Sequence, residues 1–138
     1  MSRKIPEALR RAAAQNAGYR CEYCRLPSED SFYGFHVDHI ISRKHGGDTT
    51  LDNLAYACPD CNRNKGTDVG TFLHNSSVLV RFFHPRTDEW HAHFELNETG
   101  EIHPKTNIGA ATIKIFQINH PDRIIERKLL WQVGLMKD

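Results

Sequence analysis

The sequence predicts an α+β protein, and three observations support this class. A β-rich stretch, FHVDHII at residues 35–41, lies between two Cys-x-x-Cys pairs. A second β pattern at residues 90–102 contains the turn sequence NETG at residues 97–100. Helical patterns occupy residues 6–15 and 123–135, near the two ends of the chain. We therefore expect an N-terminal helix, a short β-containing core and a C-terminal extension of hairpin and helices.

The elements of the first half follow from local signals. Residues 6–15 favour a helix because Pro6 suits a first turn and the alanines are good helix formers. Residues 35–41 predict a strand, and the two glycines at 46–47 predict a turn. Residues 53–58 favour a second strand or an irregular return. The polar residues from Asn62 onward are compatible with a helix.

The second half shows stronger β and helical patterns. SVLVRFF at residues 77–83 and WHAHFEL at residues 90–96 predict strands. Residues 108–118 favour a helix over a strand, and RIIERKLLWQVGL at 123–135 predicts an amphipathic helix. The length of 138 residues fits one domain, or a small module with an extension. We expect the core at residues 1–70 and the extension, packed on it, at residues 71–138.

Composition and charge exclude some classes of protein. The sequence is 39% hydrophobic and 25% charged, as in ordinary globular proteins rather than disordered ones. No apolar run approaches the ~20 residues of a membrane span. The first eleven residues lack the apolar core of a signal peptide. We therefore expect a protein of the reducing cytoplasm with no membrane partner, in which disulfides are disfavoured.

The charges are unevenly distributed, although the formal net charge is only +1. Residues 1–25 carry six Arg or Lys side chains and two Glu, whereas residues 26–61 carry two basic and six acidic side chains. A basic arm beside an acidic segment suits contact with phosphate and with a hard cation. An ordinary solvated helix face would give the same pattern.

Four cysteines form two pairs, Cys21/Cys24 and Cys58/Cys61. A Cys-x-x-Cys turn directs two thiolates to one ion, and two such turns complete a tetrahedral zinc site with four cysteine ligands. A site with four protein ligands has no position left for substrate, so we expect structural zinc. The ion would hold together the two ends of the long insertion at residues 25–57.

A zinc deaminase is an alternative interpretation of the same region. His36-Val37-Asp38 followed by a Cys-Pro-x-Cys segment partly resembles the deaminase pattern. However, the acid in the first segment is Asp38 rather than Glu. The proline also lies inside the second cysteine pair rather than before it, and the first cysteine pair has no role in a deaminase site.

Asp38, His39, Asn53 and Asn62 lie within or just after the region that the cysteines enclose. With these residues, DHIIS…GG…LDNLAYACPDCNRNKG resembles the HNH endonucleases, in a His-Asn-Asn form because Asn62 holds the last position. The resemblance covers about residues 6–66. It implies a ββα-metal fold and metal-dependent hydrolysis of phosphodiester bonds in DNA, with RNA as an alternative substrate.

The resemblance implies a role for each of these four residues. His39 matches the general base. Asn53 matches the residue that holds the loop between the two and orients the base. Asp38 and Asn62 match the ligands of a catalytic Mg²⁺ or Mn²⁺ ion, and hard oxygen ligands suit these ions. Neighbouring strand residues point to opposite faces, so Asp38 and His39 could lie on the two sides of one phosphate.

Four further residues are weaker candidates. His36 shares a strand face with Asp38, and could be a metal ligand, a phosphate contact or an ordinary strand histidine. His45, Arg63 and Lys65 are candidate phosphate contacts, although solvated side chains have the same sequence signature.

A non-catalytic zinc-dependent nucleic-acid-binding module is the alternative function. Such a module would keep the cysteines but would not need Asp38, His39 or Asn62. For an enzyme, one active site cuts one strand, so cleavage of both strands requires a homodimer or two successive nicks.

Overall fold

The computed structural model describes residues 5–28 and 34–137 of the chain. Within them, short helices surround three two-stranded antiparallel sheets. The elements in chain order are α1 (Glu7–Asn16), β1 (His36–His39), β2 (Leu54–Ala57), α2 (Pro59–Lys65), β3 (Gly70–Thr71), β4 (Val80–Arg81), α3 (Trp90–His93), β5 (Phe94–Leu96), β6 (Ile102–Pro104), α4 (Asn107–Phe116) and α5 (Pro121–Gln132). The α+β class is confirmed.

The β1–β2 hairpin and α2 form the ββα unit that the sequence predicts. Asp38 pairs with Ala55 and His39 pairs with Leu54 in the antiparallel register. One face of the hairpin packs on α1 in a small apolar cluster of Ile5, Ala13, Val37, Leu54 and Tyr56. The other face, which includes Ala55 and Ala57, belongs to the cluster that contains the four cysteines. The hairpin therefore packs against other elements on both faces, although His36 is exposed and Asp38 is half-buried.

A larger apolar core joins the ββα unit to the C-terminal extension. It contains the four cysteines together with Phe82, Trp90, Phe94, Phe116 and Met136. The ring of Tyr23, next to Cys24, packs against Phe116 with the centroids 4.8 Å apart. The indole N–H of Trp90 donates to the carbonyl oxygen of Tyr23 at 3.0 Å. Residues 71–137 therefore contribute side chains to the core in which the cysteines lie.

Helix α2 begins earlier than the sequence analysis predicts. It starts at Pro59 rather than at Asn62, and Cys58 is its N-cap. The Cys58 sulfur accepts a hydrogen bond from the Cys61 N–H at 3.4 Å. Pro59 favours this start because its ring fixes φ at a helical value. Proline also lacks a backbone N–H, and an N–H in the first turn would have no partner within the helix. The second cysteine pair is thus the first turn of the helix that carries Asn62.

The predicted strand at residues 77–83 is mostly wrong. Only Val80–Arg81 pairs, and its partner is the two-residue strand Gly70–Thr71. A side chain on Gly70 would overlap with the Val80 carbonyl, so this close pairing requires glycine there. Phe82 and Phe83 leave the strand and turn into the core. The β-forming residues in this segment lack a longer partner strand, which explains the difference.

The predicted strand at residues 90–96 is wrong in its first half. Residues Trp90–His93 form one helical turn, and only Phe94–Leu96 pairs with β6. Trp90 and Phe94 both enter the core, with ring centroids 5.0 Å apart. A spacing of four residues places both rings on one side of a helical turn, and this packing prevails over the alternating pattern.

The two C-terminal helices agree with the sequence analysis within a few residues. Thr106 caps α4 by accepting from the Gly109 N–H at 3.1 Å, and Pro121 begins α5. The hairpin turn at residues 97–100 is also confirmed, since it joins β5 to β6. No helix among the described residues is long and apolar enough to cross a membrane.

Candidate active site and metal centre

The four cysteine sulfurs form one buried cluster. Each cysteine is at most 1% exposed, and the four sulfur atoms all lie within 4.8 Å of one another. The sulfurs of Cys24 and Cys58, which belong to different pairs, are 3.6 Å apart. Two backbone N–H groups donate to sulfur at 3.4 Å, from Cys24 to Cys21 and from Cys61 to Cys58. The spacing, burial and N–H···S contacts fit a tetrahedral site of four thiolates, which could hold zinc.

A buried arginine of α5 also contacts the cysteine cluster. Arg123 is 7% exposed, and its Nη2 donates to the Cys61 sulfur at 3.0 Å and to the Cys58 sulfur at 3.5 Å. Burial by itself would lower the pKa of Arg123, but the thiolates of the cluster raise it above its usual value. A guanidinium directed at two sulfurs stabilises thiolates, the form in which cysteine binds metal. The donor set therefore fits a zinc ion.

The β1–β2 hairpin places Asp38 and His39 on opposite faces. Asp38 lies on the face of Ala55, toward the cysteines and α2, and His39 lies on the face of Leu54. His39 is 9% exposed. Its Nε2 lies 2.9 Å from the Thr49 hydroxyl oxygen. The Thr49 contact holds the imidazole at one nitrogen, and Nδ1 has no hydrogen-bond partner among the described residues.

The loop after His39 is held by Asn53. Its Oδ1 accepts from the Ile41 N–H at 2.9 Å, and its Nδ2 donates to the carbonyl oxygens of Ile41 at 2.9 Å and Asp48 at 2.8 Å. A side chain on Gly47 would overlap with the Ile41 carbonyl and with Asn53 Nδ2. The loop can therefore close against Asn53 only with glycine at position 47.

Asp38 and Asn62 are both half-buried, and they lie on two elements, β1 and α2, that contact each other. Neither side chain makes a hydrogen bond or an ion pair within residues 5–28 and 34–137. A half-buried carboxylate and a half-buried amide without partners retain oxygen atoms for a ligand. Their chemistry fits a hard cation such as Mg²⁺.

The weaker candidates lie in different environments. His36 and His45 are exposed, at the start of β1 and in the loop after it. Arg63 is exposed on α2, where its Nη2 donates to the Asp60 carboxylate at 2.6 Å. An exposed pair of this kind contributes little to stability and can exchange its partner for a phosphate. These three side chains are accessible from outside the protein.

Lys65 does not lie at the surface, where a phosphate contact would require it. The residue is 4% exposed, and its ammonium donates to the carbonyl oxygens of His39 at 3.3 Å and Gly66 at 3.5 Å. Burial lowers the pKa of Lys65, while the carboxylates of Asp38 and Asp68 act in the opposite direction. The lysine thus connects the end of α2 to the backbone of the candidate base.

A cavity of about 320 Å³ lies beside this lysine. Ile40, His45 and Lys65 line it from the ββα unit, and Phe82 and His84 line it from the extension. The cavity therefore separates the loop after His39 from the C-terminal extension at this point.

The fold and the site define a class of protein. In its ββα unit, the segment before the hairpin and the first turn of the following helix meet at a buried cluster of four cysteines. Residues 21–68 match the family model described as HNH endonuclease. The match indicates a nuclease-type or nucleic-acid-binding function. A comparison with curated proteins finds no match.

The roles of three residues in this region are not predicted from the sequence: those of Gly47, Thr49 and Arg123. Gly47 has a signal in the Gly-Gly pair, although that pair predicts only a turn. Thr49 and Arg123 have no local signal, because their contacts lie 10 residues away for Thr49 and 62 for Arg123 along the chain.

Proposed function

We propose that this protein is a metal-dependent endonuclease that hydrolyses phosphodiester bonds of DNA. One observation supports the proposal most directly. Asp38 and Asn62 keep side-chain oxygens without hydrogen-bond partners among the described residues, on the contacting elements β1 and α2. His39 follows Asp38 directly in β1, and its ring is held at one nitrogen. A binding module would have no need of this combination.

In the proposed reaction His39 is the general base. With Nε2–H donating to Thr49, the free Nδ1 lone pair accepts a proton from water as the water oxygen bonds to phosphorus. The bond from phosphorus to the leaving oxygen breaks, and that oxygen takes up a proton from solvent. A neutral imidazole can perform this step near physiological pH.

Asp38 and Asn62 are the residues that would hold a Mg²⁺ or Mn²⁺ ion, and the bound ion would supply charge stabilisation at the leaving oxygen. Asn53 positions His39 by keeping the loop closed against Ile41. Lys65 supports the same strand through its bond to the His39 carbonyl. Exposed His36, His45 and Arg63 are proposed to contact the phosphate backbone, which affects affinity rather than sequence preference.

Cleavage of supercoiled plasmid tests this function. The wild-type chain is incubated with Mg²⁺, with Mn²⁺ and with EDTA, beside His39→Ala and His103→Ala at equal measured zinc content. His103 is an exposed histidine of β6 and serves as the matched control. We expect nicking that requires added metal, disappears in His39→Ala and persists in His103→Ala.

Nicking alone is the expected first product, because one active site cuts one strand. Linear product that forms at high protein concentration without a preceding nicked form would indicate a homodimer, whereas linear product that follows the nicked form would indicate two successive nicks. Tight DNA binding without cleavage in either metal would instead favour the non-catalytic binding module, and single-stranded RNA would then be the next substrate.

A further inference from the structure

We propose that Arg123 is a positioning residue of the metal centre. It donates hydrogen bonds to the sulfurs of Cys58 and Cys61 without being a metal ligand itself, and these bonds raise the affinity of the site for zinc. The inference depends on the cysteine site and not on nuclease activity. It assigns a function in the metal centre to helix α5, which lies outside the matched residues 21–68.

The two Nη atoms of Arg123 bind two different groups, and its Nε lies 3.9 Å from a carboxylate oxygen of Asp60. Nη1 donates to the carbonyl oxygens of Phe116 at 2.8 Å and Gln117 at 3.0 Å, at the C-terminal end of α4. Nη2 donates to the two sulfurs of the second cysteine pair. A planar guanidinium can serve both groups at once, whereas a lysine ammonium cannot hold the same fork.

The charge of the site explains why such a cation is useful. Zinc with four thiolates carries a net charge of −2, and the cysteines bury it almost completely. Burying an uncompensated charge is strongly unfavourable. Arg123 supplies one positive charge at hydrogen-bond distance and therefore stabilises the metal-loaded state more than the metal-free one.

The contacts are also unequal between the two cysteine pairs. Arg123 reaches only Cys58 and Cys61, which form the first turn of α2. Asn62 follows them directly in the same helix. A weaker contact with this turn would loosen the segment that places the Asn62 amide, so Arg123 would influence the candidate active site through the zinc centre.

Arg127 provides a matched control on the same helix. It is 1% exposed and donates to the Gly100 carbonyl at 2.6 Å and the Ile118 carbonyl at 2.8 Å, but to no sulfur among the described residues. Substituting Arg127 therefore perturbs a buried arginine and the packing of α5 without removing an N–H···S bond.

The experiment compares the full chain with Arg123→Lys, Arg123→Gln and Arg127→Lys. Zinc affinity is measured by competition with a chromophoric chelator, and the sulfur-to-metal charge-transfer band is recorded after Co²⁺ substitution. We expect the Arg123 variants to bind zinc about 10–100-fold more weakly. Their charge-transfer band should shift to longer wavelength, because the lost N–H···S bonds return electron density to sulfur. Arg127→Lys should keep the wild-type band.

Two outcomes would overturn the proposal. One is an unchanged band and affinity in Arg123→Lys, which would mean that the arginine only caps α4. The other is an equal loss of affinity in Arg123→Lys and Arg127→Lys, which would reflect general destabilisation. If Arg123→Gln does not fold, the lysine variant and the band position still distinguish these cases.

Discussion

The side chain of Asn53 closes the loop of residues 42–52 by bonding both backbone groups of Ile41. Its Oδ1 accepts from the Ile41 N–H and its Nδ2 donates to the Ile41 carbonyl, each at 2.9 Å. A carboxamide has one acceptor and two donors, so a single residue can occupy the place of a strand partner. Aspartate lacks the donors and could not make the same set of bonds.

Replacing Asn53 by Ala should open this loop. We expect faster amide exchange in residues 41–49 and loss of plasmid nicking, while the zinc content stays at the wild-type value. Asn119→Ala is the matched control, because Asn119 bonds both backbone groups of Ile102 in the same way at the second hairpin. Unchanged exchange in the Asn53 variant, or nicking lost equally in the control, would contradict the assigned role.

Gly47→Ala should destabilise the protein, since the added Cβ would overlap with the Ile41 carbonyl. The expected loss in the free energy of unfolding is roughly 1–3 kcal/mol, typical of forced overpacking. Gly34→Ala is the control, because a Cβ there meets no atom within 4 Å. Denaturant unfolding at fixed zinc concentration measures both variants. Equal stability of the two would show that the loop adapts to the methyl group.

Thr49→Val should lower the rate of nicking if His39 is the general base. Losing a hydrogen bond of about 1 kcal/mol corresponds to a rate loss of about fivefold. Thr49→Ser keeps the hydroxyl and should restore most of the rate. Single-turnover kinetics at saturating protein separate this effect from DNA affinity. A valine variant as fast as the serine variant would remove Thr49 from the site.

Removing zinc from the cysteine cluster should unfold residues 18–66, because the ion would join both ends of this segment. We expect the extension to lose its fold as well, since Asn64 donates to the Phe116 carbonyl at 2.8 Å and both parts share one core. Amide spectra recorded before chelation, after it and after zinc is returned would show this. Dispersed signals in the zinc-free protein would refute the prediction, and dispersed signals from residues 71–138 alone would establish an independently folded extension.

His84 should titrate below its ordinary pKa. Burial lowers the pKa of His84 from 6.5, although the Asp88 carboxylate acts in the opposite direction. The Arg86 N–H donates to His84 Nδ1 at 3.2 Å, which requires an unprotonated nitrogen. As the pH falls, the unfolded chain therefore binds a proton at His84 at a higher pH than the folded protein does. The contribution of neutral His84 to stability is complete above pH 6.5 and is lost as the pH falls through the pKa of the folded state.

An NMR titration of the His84 ring measures this pKa directly in the zinc-loaded protein. A midpoint at or above 6.5 would contradict the prediction. Asp88→Asn offers a second check, since removing the carboxylate should lower the His84 midpoint further. His84→Gln should remove the corresponding part of the pH dependence of stability below pH 6.5.

Local sequence was sufficient for the cysteine cluster and for most elements. A Cys-x-x-Cys turn positions its two sulfurs through the geometry of four residues, and the structure brings the two predicted pairs together. The hairpin and the helices α1, α4 and α5 likewise follow from signals within a few residues, such as turn glycines, prolines at helix starts and apolar periodicity.

Tertiary structure decided the features whose partners lie far apart in the chain. The segment at Trp90 became a helical turn because two aromatic rings enter one core, and Lys65 became buried because α2 packs against the strand that carries His39. Arg123 reaches Cys61 across 62 residues of sequence. Local patterns report backbone preference, whereas burial and charge pairing depend on which surfaces the folded chain brings into contact. For this reason the sequence by itself determined the cluster of four cysteines and the helix and hairpin elements, and only the fold decided what surrounds them.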